Sequence, residues 1–218
     1  MDYQEVDLEH YARRAHFVHF RAMQFPYFSL TVPMDVSSVR QYCCEKGCSF
    51  YLTFMHLVAL AANEIPEMRQ RIHGETIREY AFCNTSHVEL LDNGTYTYCT
   101  LEHDMPMDEY LQKAVQAREA CRHKQVLAED EEVESLLFIS SLPWIYYTQL
   151  TQPGGGGGES NPQITWGKFV QDGQEKWMMP VTVQVHHALV DGLHVSRFYE
   201  SLIERIRLLN QENGGRTI

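Results

Sequence analysis

The segment Val181-Thr182-Val183-Gln184-Val185-His186-His187 alternates apolar and polar side chains, then runs through Ala188-Leu189-Val190 into Asp191-Gly192. A two-residue period puts Val181, Val183, Val185 and His187 on one face of a strand and Thr182, Gln184 and His186 on the other. Beyond it, from 194 to 210, the period lengthens to that of a helix, with Val195, Phe198, Leu202, Ile206 and Leu209 on one side. A half-apolar strand that hands over to a half-apolar helix fits an α/β chain, in which each buries its stripe against the other.

The rest of the chain supplies more of both elements. Asp35 and Ser37 are placed to cap a helix through Cys44 that Gly47 ends, and Ser49 a second through Glu64 that Pro66 ends. Residues 76–91 alternate and lead through Asp92-Asn93-Gly94 into 95–100, the pattern of a hairpin or meander. Residues 107–125 have helical spacing, and the acidic run 129–134 reads as a solvated linker. Residues 136–150 read as a long strand bent at Pro143, followed by Pro153 and the glycines 154–158. Strand pattern resumes at Gln163, so the glycines read as a surface loop, and they lack the Gly-Lys-Ser/Thr ending of a phosphate cradle. Residues 163–170 and 177–190 form a second hairpin about Asp172-Gly173. One domain over 1–218 is the expectation.

Composition narrows the function. At 218 residues, 44% hydrophobic and 22% charged, the chain can bury a sizeable core. Eighteen Lys and Arg against 29 Asp and Glu leave a net charge of −11. That surface repels phosphate backbones and anionic bilayers, so neither nucleic acid nor membrane is an expected partner. The six cysteines sit mostly in apolar runs without a C-x-x-C pair, which reads as reduced thiols rather than a zinc site. The acidic N-terminal stretch is unlike a signal peptide. The longest apolar run, 50–62, is broken by Thr53 and His56 and is too short to span a bilayer. A cytoplasmic protein is expected.

The histidine segment admits three readings. His187 can be a buried histidine satisfied by hydrogen bonds, with Asp191 capping the last helix. His186, His187, Asp191 and His194 are close enough in sequence to raise a metal, although adjacent strand residues face opposite ways and do not easily share an ion. Third, His187 is a general base at a strand end, steadied by a charge network containing Asp191.

His186-His187-Ala-Leu-Val-Asp191-Gly192 resembles the histidine–three residues–aspartate–glycine signature of chloramphenicol acetyltransferases, which dihydrolipoyl acyltransferases and wider CoA-dependent acyltransferases share. The resemblance runs along nearly the whole chain. It takes in Arg13-Arg14-Ala15-His16-Phe17, Phe25-Pro26-Tyr27-Phe28, Pro66-Glu67-Met68-Arg69, Ser140-Ser141-Leu142-Pro143-Trp144 and Thr165-Trp166-Gly167-Lys168 in family order. It implies a two-layer α/β sandwich on a mixed β-sheet, assembled as a homotrimer with active sites between subunits. It also implies acetyl-CoA as co-substrate, no permanently bound cofactor or metal, and a hydroxyl-bearing small molecule as acceptor. On this resemblance His187 takes the acceptor's proton, Ser140 hydrogen-bonds the oxyanion, Asp191 pairs with Arg13, and Thr165 orders a water near the reacting oxygen. Tyr27, Phe28, Tyr96 and Leu150 fall to the acceptor, and Lys168 to the phosphates of coenzyme A.

The departures concern the acceptor. Where typical members continue past the Pro-Trp pair with an apolar wall, this chain has Leu150-Thr151-Gln152-Pro153 and glycines. Ser49 stands where some members carry a lysine near coenzyme A. An acetyltransferase for chloramphenicol or a related alcohol therefore stands beside two alternatives, a transferase for a different hydroxyl acceptor and a binding protein with little turnover.

Overall fold

The computed structural model describes residues 2–123, 133–154 and 159–209. In chain order the elements are β1 (Tyr3–Glu5), α1 (Arg14–Arg21), β2 (Tyr27–Asp35), α2 (Ser37–Lys46), α3 (Phe50–Asn63), β3 (Gln70–His73), β4 (Thr76–Tyr80), β5 (Asn84–Leu90) and β6 (Tyr96–Leu101). There follow α4 (Met107–Arg122), β7 (Leu136–Leu142), β8 (Gln163–Gly167), β9 (Val170–Gln171), β10 (Trp177–His186) and α5 (Gly192–Leu208). Among the described residues, seven strands form one sheet in the order β2-β10-β8-β7-β5-β6, with β9 beside β10. Strands β5, β7 and β8 run parallel and the other neighbours antiparallel, so the sheet is mixed. A smaller antiparallel sheet has the order β1-β4-β3.

The alternation at 181–185 decides where the core lies. Val181, Val183 and Val185 are buried with Ile164, Trp166, Leu137 and Ile139, and the helix layer supplies Leu52, Phe54, Val58, Phe198 and Leu202 to the same core. Helix α3 lies against α2, α4 and α5. A helix surrounded in this way must be apolar nearly all round, which accounts for the run at 50–62. Among the described residues no helix is long and apolar enough to cross a membrane. The stripe expected on the last helix is buried at Val195, Phe198, Leu202, Ile206 and Leu209, each such side chain worth about 1.5–3 kcal/mol.

The opposite face of the sheet is polar and also covered. Thr182, Gln184 and His186 are buried, and the segment 143–153 folds back over them. Tyr147 donates from its hydroxyl to the Thr165 carbonyl at 2.9 Å and accepts from Thr182 Oγ1 at 3.2 Å. The segment comes close enough that Gly167 has no room for a side chain: a Cβ there would stand 2.8 Å from both Pro180 Cγ and Tyr147 Cε1.

Several boundaries differ from the sequence reading, each for a local reason. The strand read over 136–150 stops at Leu142, because Pro143 has no N–H for the ladder and pushes the residue before it out of regular geometry. The run 76–91 is two strands in two sheets, β4 pairing with β3 and β5 with β6; only the turn at 92–94 is the expected hairpin. The hairpin read over 163–190 has its first arm broken at Gly167 and resumed in β9. Helix α2 ends as expected at Gly47, left-handed at φ 65°. Ser49 caps α3, accepting from Leu52 N–H at 3.4 Å, and α5 starts two residues earlier than read because Asp191 caps it. The described cysteines are free thiols, with Cys43, Cys83, Cys99 and Cys121 buried. Positions 129–132 of the acidic run, the glycines 155–158, the end of the helix read to 125 and Asn210 lie outside the described residues.

Candidate active site

His187 is the first residue past β10, and its backbone still follows the ladder, donating its N–H to the Pro26 carbonyl at 2.7 Å. The half-buried ring stacks on Phe20 of α1 at 3.9 Å between centroids and meets Phe28 edge-on at 4.8 Å. Its Nδ1 lies 3.0 Å from the Val190 carbonyl. A carbonyl only accepts, so Nδ1 carries the proton of the neutral ring and Nε2 keeps the lone pair. The turn 187–190 that makes this contact thereby selects the tautomer a base needs.

Asp191 closes that turn. One carboxylate oxygen accepts from Leu193 N–H at 3.0 Å, capping α5, and the other pairs with the Arg13 guanidinium. Arg13 also reaches the His187 carbonyl at 3.5 Å. Burial works to raise the Asp191 pKa, but the charges of His194 and Arg13 and the hydrogen bonds from Arg13 and Leu193 outweigh it and hold the carboxyl below its ordinary value. The Asp191 N–H donates to His194 Nδ1 at 3.1 Å, the return arm of the capping box that opens α5. Arg13 immediately precedes α1, so the pair fastens the helix carrying Phe20 to the turn carrying His187.

Ser140 lies elsewhere. In β7 it is in register with Thr165 of β8, which faces Thr182 of β10 and through it Thr31 of β2. Residues in register share a face, so Ser140 is on the side of Thr182, Gln184 and His186, opposite to the His187 side. Two strand spacings of about 4.8 Å also separate β7 from β10. The structure therefore does not bring His187 and Ser140 of one chain together. Ser140 lines a cavity of about 420 Å³ with Ser86, Tyr96, Tyr98, Phe138 and Gln152 among its walls.

The other candidate residues divide between these places. Tyr96 lines the cavity with Ser140. Thr165 is buried and its Oγ1 accepts from Gln152 Nε2. Tyr27 and Phe28, as neighbours in a strand, split between the faces. Phe28 goes to His187, whereas Tyr27 stands edge-on to His186 and donates its hydroxyl to the Glu159 carbonyl at 2.7 Å. Gly154 abuts the Tyr27 ring, where a Cβ would lie 3.1 Å from it. Leu150 is half-buried in the folded-back segment and Lys168 is exposed beyond β8; neither lines the Ser140 cavity. Among the described residues no group of three or more His, Cys, Asp or Glu is arranged to hold a metal ion.

Two contributors, Phe20 and Glu159, were not legible beforehand. Phe20 stacks on His187 only because Arg13 and Asp191 bring α1 there. Glu159 lines the cavity beside Gln152, the polar residue already read as a break in the apolar wall, because of the path taken after Pro143, which no periodicity encodes.

Comparison with known proteins gives a consistent picture. Residues 1–203 match the chloramphenicol acetyltransferase family. The chain is 30% identical to chloramphenicol acetyltransferase 2 of Escherichia coli over 209 residues, covering 93% of this chain and 96% of that protein. A solved chloramphenicol acetyltransferase superposes with a TM-score of 0.87 at 28% identity, covering 94% of this chain and all of the other. The cubic core of the pyruvate dehydrogenase multienzyme complex shares the fold at a TM-score of 0.64 and 17% identity, over 89% of this chain and 86% of that one.

Proposed function

Because the chain belongs to the chloramphenicol acetyltransferase family, we propose that it transfers acetyl from acetyl-CoA to a hydroxyl of chloramphenicol or a related small molecule, with His187 as general base. Nε2 takes the hydroxyl proton as the oxygen attacks the thioester carbonyl. The tetrahedral intermediate then collapses, the carbon–sulfur bond breaks, and the proton passes to the departing thiolate. General-base help of this kind is worth about a hundred- to ten-thousandfold. Ser140 donates to the oxyanion, a contribution of about 2.7–4 kcal/mol. Arg13 and Asp191 hold the base in place, and Thr165 acts beside Ser140. Phe28 beside His187 and Tyr96 in the Ser140 cavity face the acceptor, Tyr27 and Leu150 stand outside that cavity lining, and exposed Lys168 meets the phosphates of coenzyme A.

The observation that carries this reading is the separation of the two halves of the chemistry. The base sits at the β2–β10 edge, while the hydroxyl donor and cavity sit on the opposite face toward β6. A neighbouring copy supplies what each chain lacks at that place, and head-to-tail contact of unlike surfaces forms a ring where the rotation closes. Together with the family resemblance, which implies three subunits, this leads us to read the protein as a homotrimer of single-domain chains with active sites between subunits. We further propose that it works in the cytoplasm and confers resistance by acetylating the drug.

The test is thiol release from acetyl-CoA by the purified protein with and without chloramphenicol. Release that requires chloramphenicol and vanishes in a folded His187→Ala variant is expected; substantial residual rate in that variant sinks the base assignment. A second reading, that the preferred acceptor is another alcohol, draws support from the polar wall at Gln152, Glu159 and Gln163. An apolar contact missing there costs about 1.5–3 kcal/mol per side chain. Release with other alcohols but not with chloramphenicol would select it, and calorimetric binding without any release would select a binding protein.

A further inference from the structure

We infer that Gln152 is a positioning residue of the acetyl-transfer site, acting through the hydroxyl of Thr165; this rests on the transferase reading above. The main chain of Gln152 is pinned without help from its own side chain. Its N–H donates to Gln184 Oε1 at 2.9 Å, and its carbonyl accepts from Gln184 Nε2 at 3.1 Å. Gln163 Nε2 holds the next carbonyl, of Pro153, at 3.1 Å, and Ser29 Oγ anchors Gln184 Oε1 from the far side at 2.8 Å. With the segment already fastened to the sheet, the Gln152 carboxamide is not needed as a tether.

That carboxamide instead donates from Nε2 to Thr165 Oγ1. Gln152 is among the residues lining the cavity that Ser140 lines, and Ser140 is the register partner of Thr165. A hydroxyl has one hydrogen and two lone pairs and turns to suit its partners. With an N–H on one lone pair, the Thr165 hydroxyl is oriented as a donor, its hydrogen directed away from Gln152. A donor fixed before the reaction costs no reorganisation when charge develops beside it. The polar residue that interrupts the expected apolar wall thus sets the hydrogen-bonding state of the site.

The test compares Gln152→Leu, Gln152→Glu, Thr165→Val and the Gln152→Leu/Thr165→Val double variant in the thiol-release assay. Melting temperature and KM for acetyl-CoA are followed alongside. Gln152→Leu and Thr165→Val should each lower kcat about three- to tenfold, the worth of one neutral hydrogen bond. KM for acetyl-CoA and melting temperature should hold. The double variant should fall no further than the worse single one, because both changes remove the same interaction. Gln152→Glu keeps the shape but only accepts, so it turns the Thr165 hydrogen toward itself and should lose at least as much rate. Gln152→Glu at the unmodified rate, or single losses that multiply in the double variant, would overturn the inference while His187→Ala still upholds the transferase reading. Absence of thiol release by the unmodified protein with a panel of alcohols would overturn both.

Discussion

A carboxylate that caps a helix through one oxygen and pairs with a guanidinium through the other can be tested one oxygen at a time. Asparagine at 191 keeps an acceptor for the Leu193 N–H but removes the charge facing Arg13. Asp191→Asn should therefore lose about 1.5–3 kcal/mol, the worth of a charge-assisted hydrogen bond, and Asp191→Ala about 1 kcal/mol more for the cap. Urea midpoints check this, and adding Arg13→Gln to Asp191→Asn should change little. Full additivity would mean that the pair is not a coupled unit. At this scale the sequence was informative where a residue's neighbours are nearly fixed by chain position. Asp191 follows a strand and precedes a helix, so a cap is legible without any structure. The resemblance then supplied Arg13, which no spacing could have paired with it. Gln152 was legible only as a break in the apolar wall that the resemblance implies; its bond to Thr165 was out of reach, since an amide in an irregular segment carries no period.

Among elements, α3, α4, β5 and the end of β6 enclose a polar cluster that the chemistry above does not use. His56 Nδ1 and His103 Nδ1 are 3.1 Å apart, His103 Nε2 meets Thr85 Oγ1 at 2.8 Å, and Tyr110 stacks on both rings at 4.3 and 4.6 Å. Burial, with the Arg205 charge adding to it, pushes His56 down from 6.5 to about 4, and burial and the charge of His56 hold His103 well below its ordinary value. The unfolded chain takes up protons that the fold refuses, so stability is whole above pH 6.5 and declines as pH falls toward 4. Near the middle of that range His56 contributes a slope of about 1.4 kcal/mol per pH unit, and His103 acts in the same direction. Glu89 then contributes in more acid solution. Burial opposes its charge, but His87, Arg118 and Arg122 overcome that and hold it at about 2, so the stability it gives is present above 4.5 and lost between 4.5 and 2. Melting temperatures measured from pH 7.5 to 4 on the protein and on His56→Gln should show the variant with the shallower fall. The helices were the most legible elements, because caps and stripes are local, as at Ser49, Gly47 and the face from Val195 to Leu209. Strand membership was not: 76–91 alternates throughout, yet its two halves belong to different sheets, which only long-range pairing decides.

For the whole molecule, the proposed sharing of a site between chains has a consequence that no single chain can show. His187→Ala and Ser140→Ala subunits should each be nearly inactive alone, the second by about a hundred- to a thousandfold. Unfolded together in equal amounts and refolded, they should regain activity at about a quarter of the sites, because each site draws its histidine and its serine independently from two neighbours. Recovery no greater than the sum of the separate proteins would place both groups in one chain. The α/β class was legible from the alternation at 181–187 and the helix after it. The order β2-β10-β8-β7-β5-β6 was not, because it places the first long strand against the last. Thr31 meets Thr182 across 151 residues of chain, and Arg13 clasps Asp191 across 178. During synthesis β2 emerges without its neighbour, and the turn that aims His187 is anchored to α1 only once nearly the whole chain has left the ribosome. On the proposed function, reactivity is then the last property this polypeptide acquires, and a product that stops short of α5 would lack the helix whose start Asp191 caps.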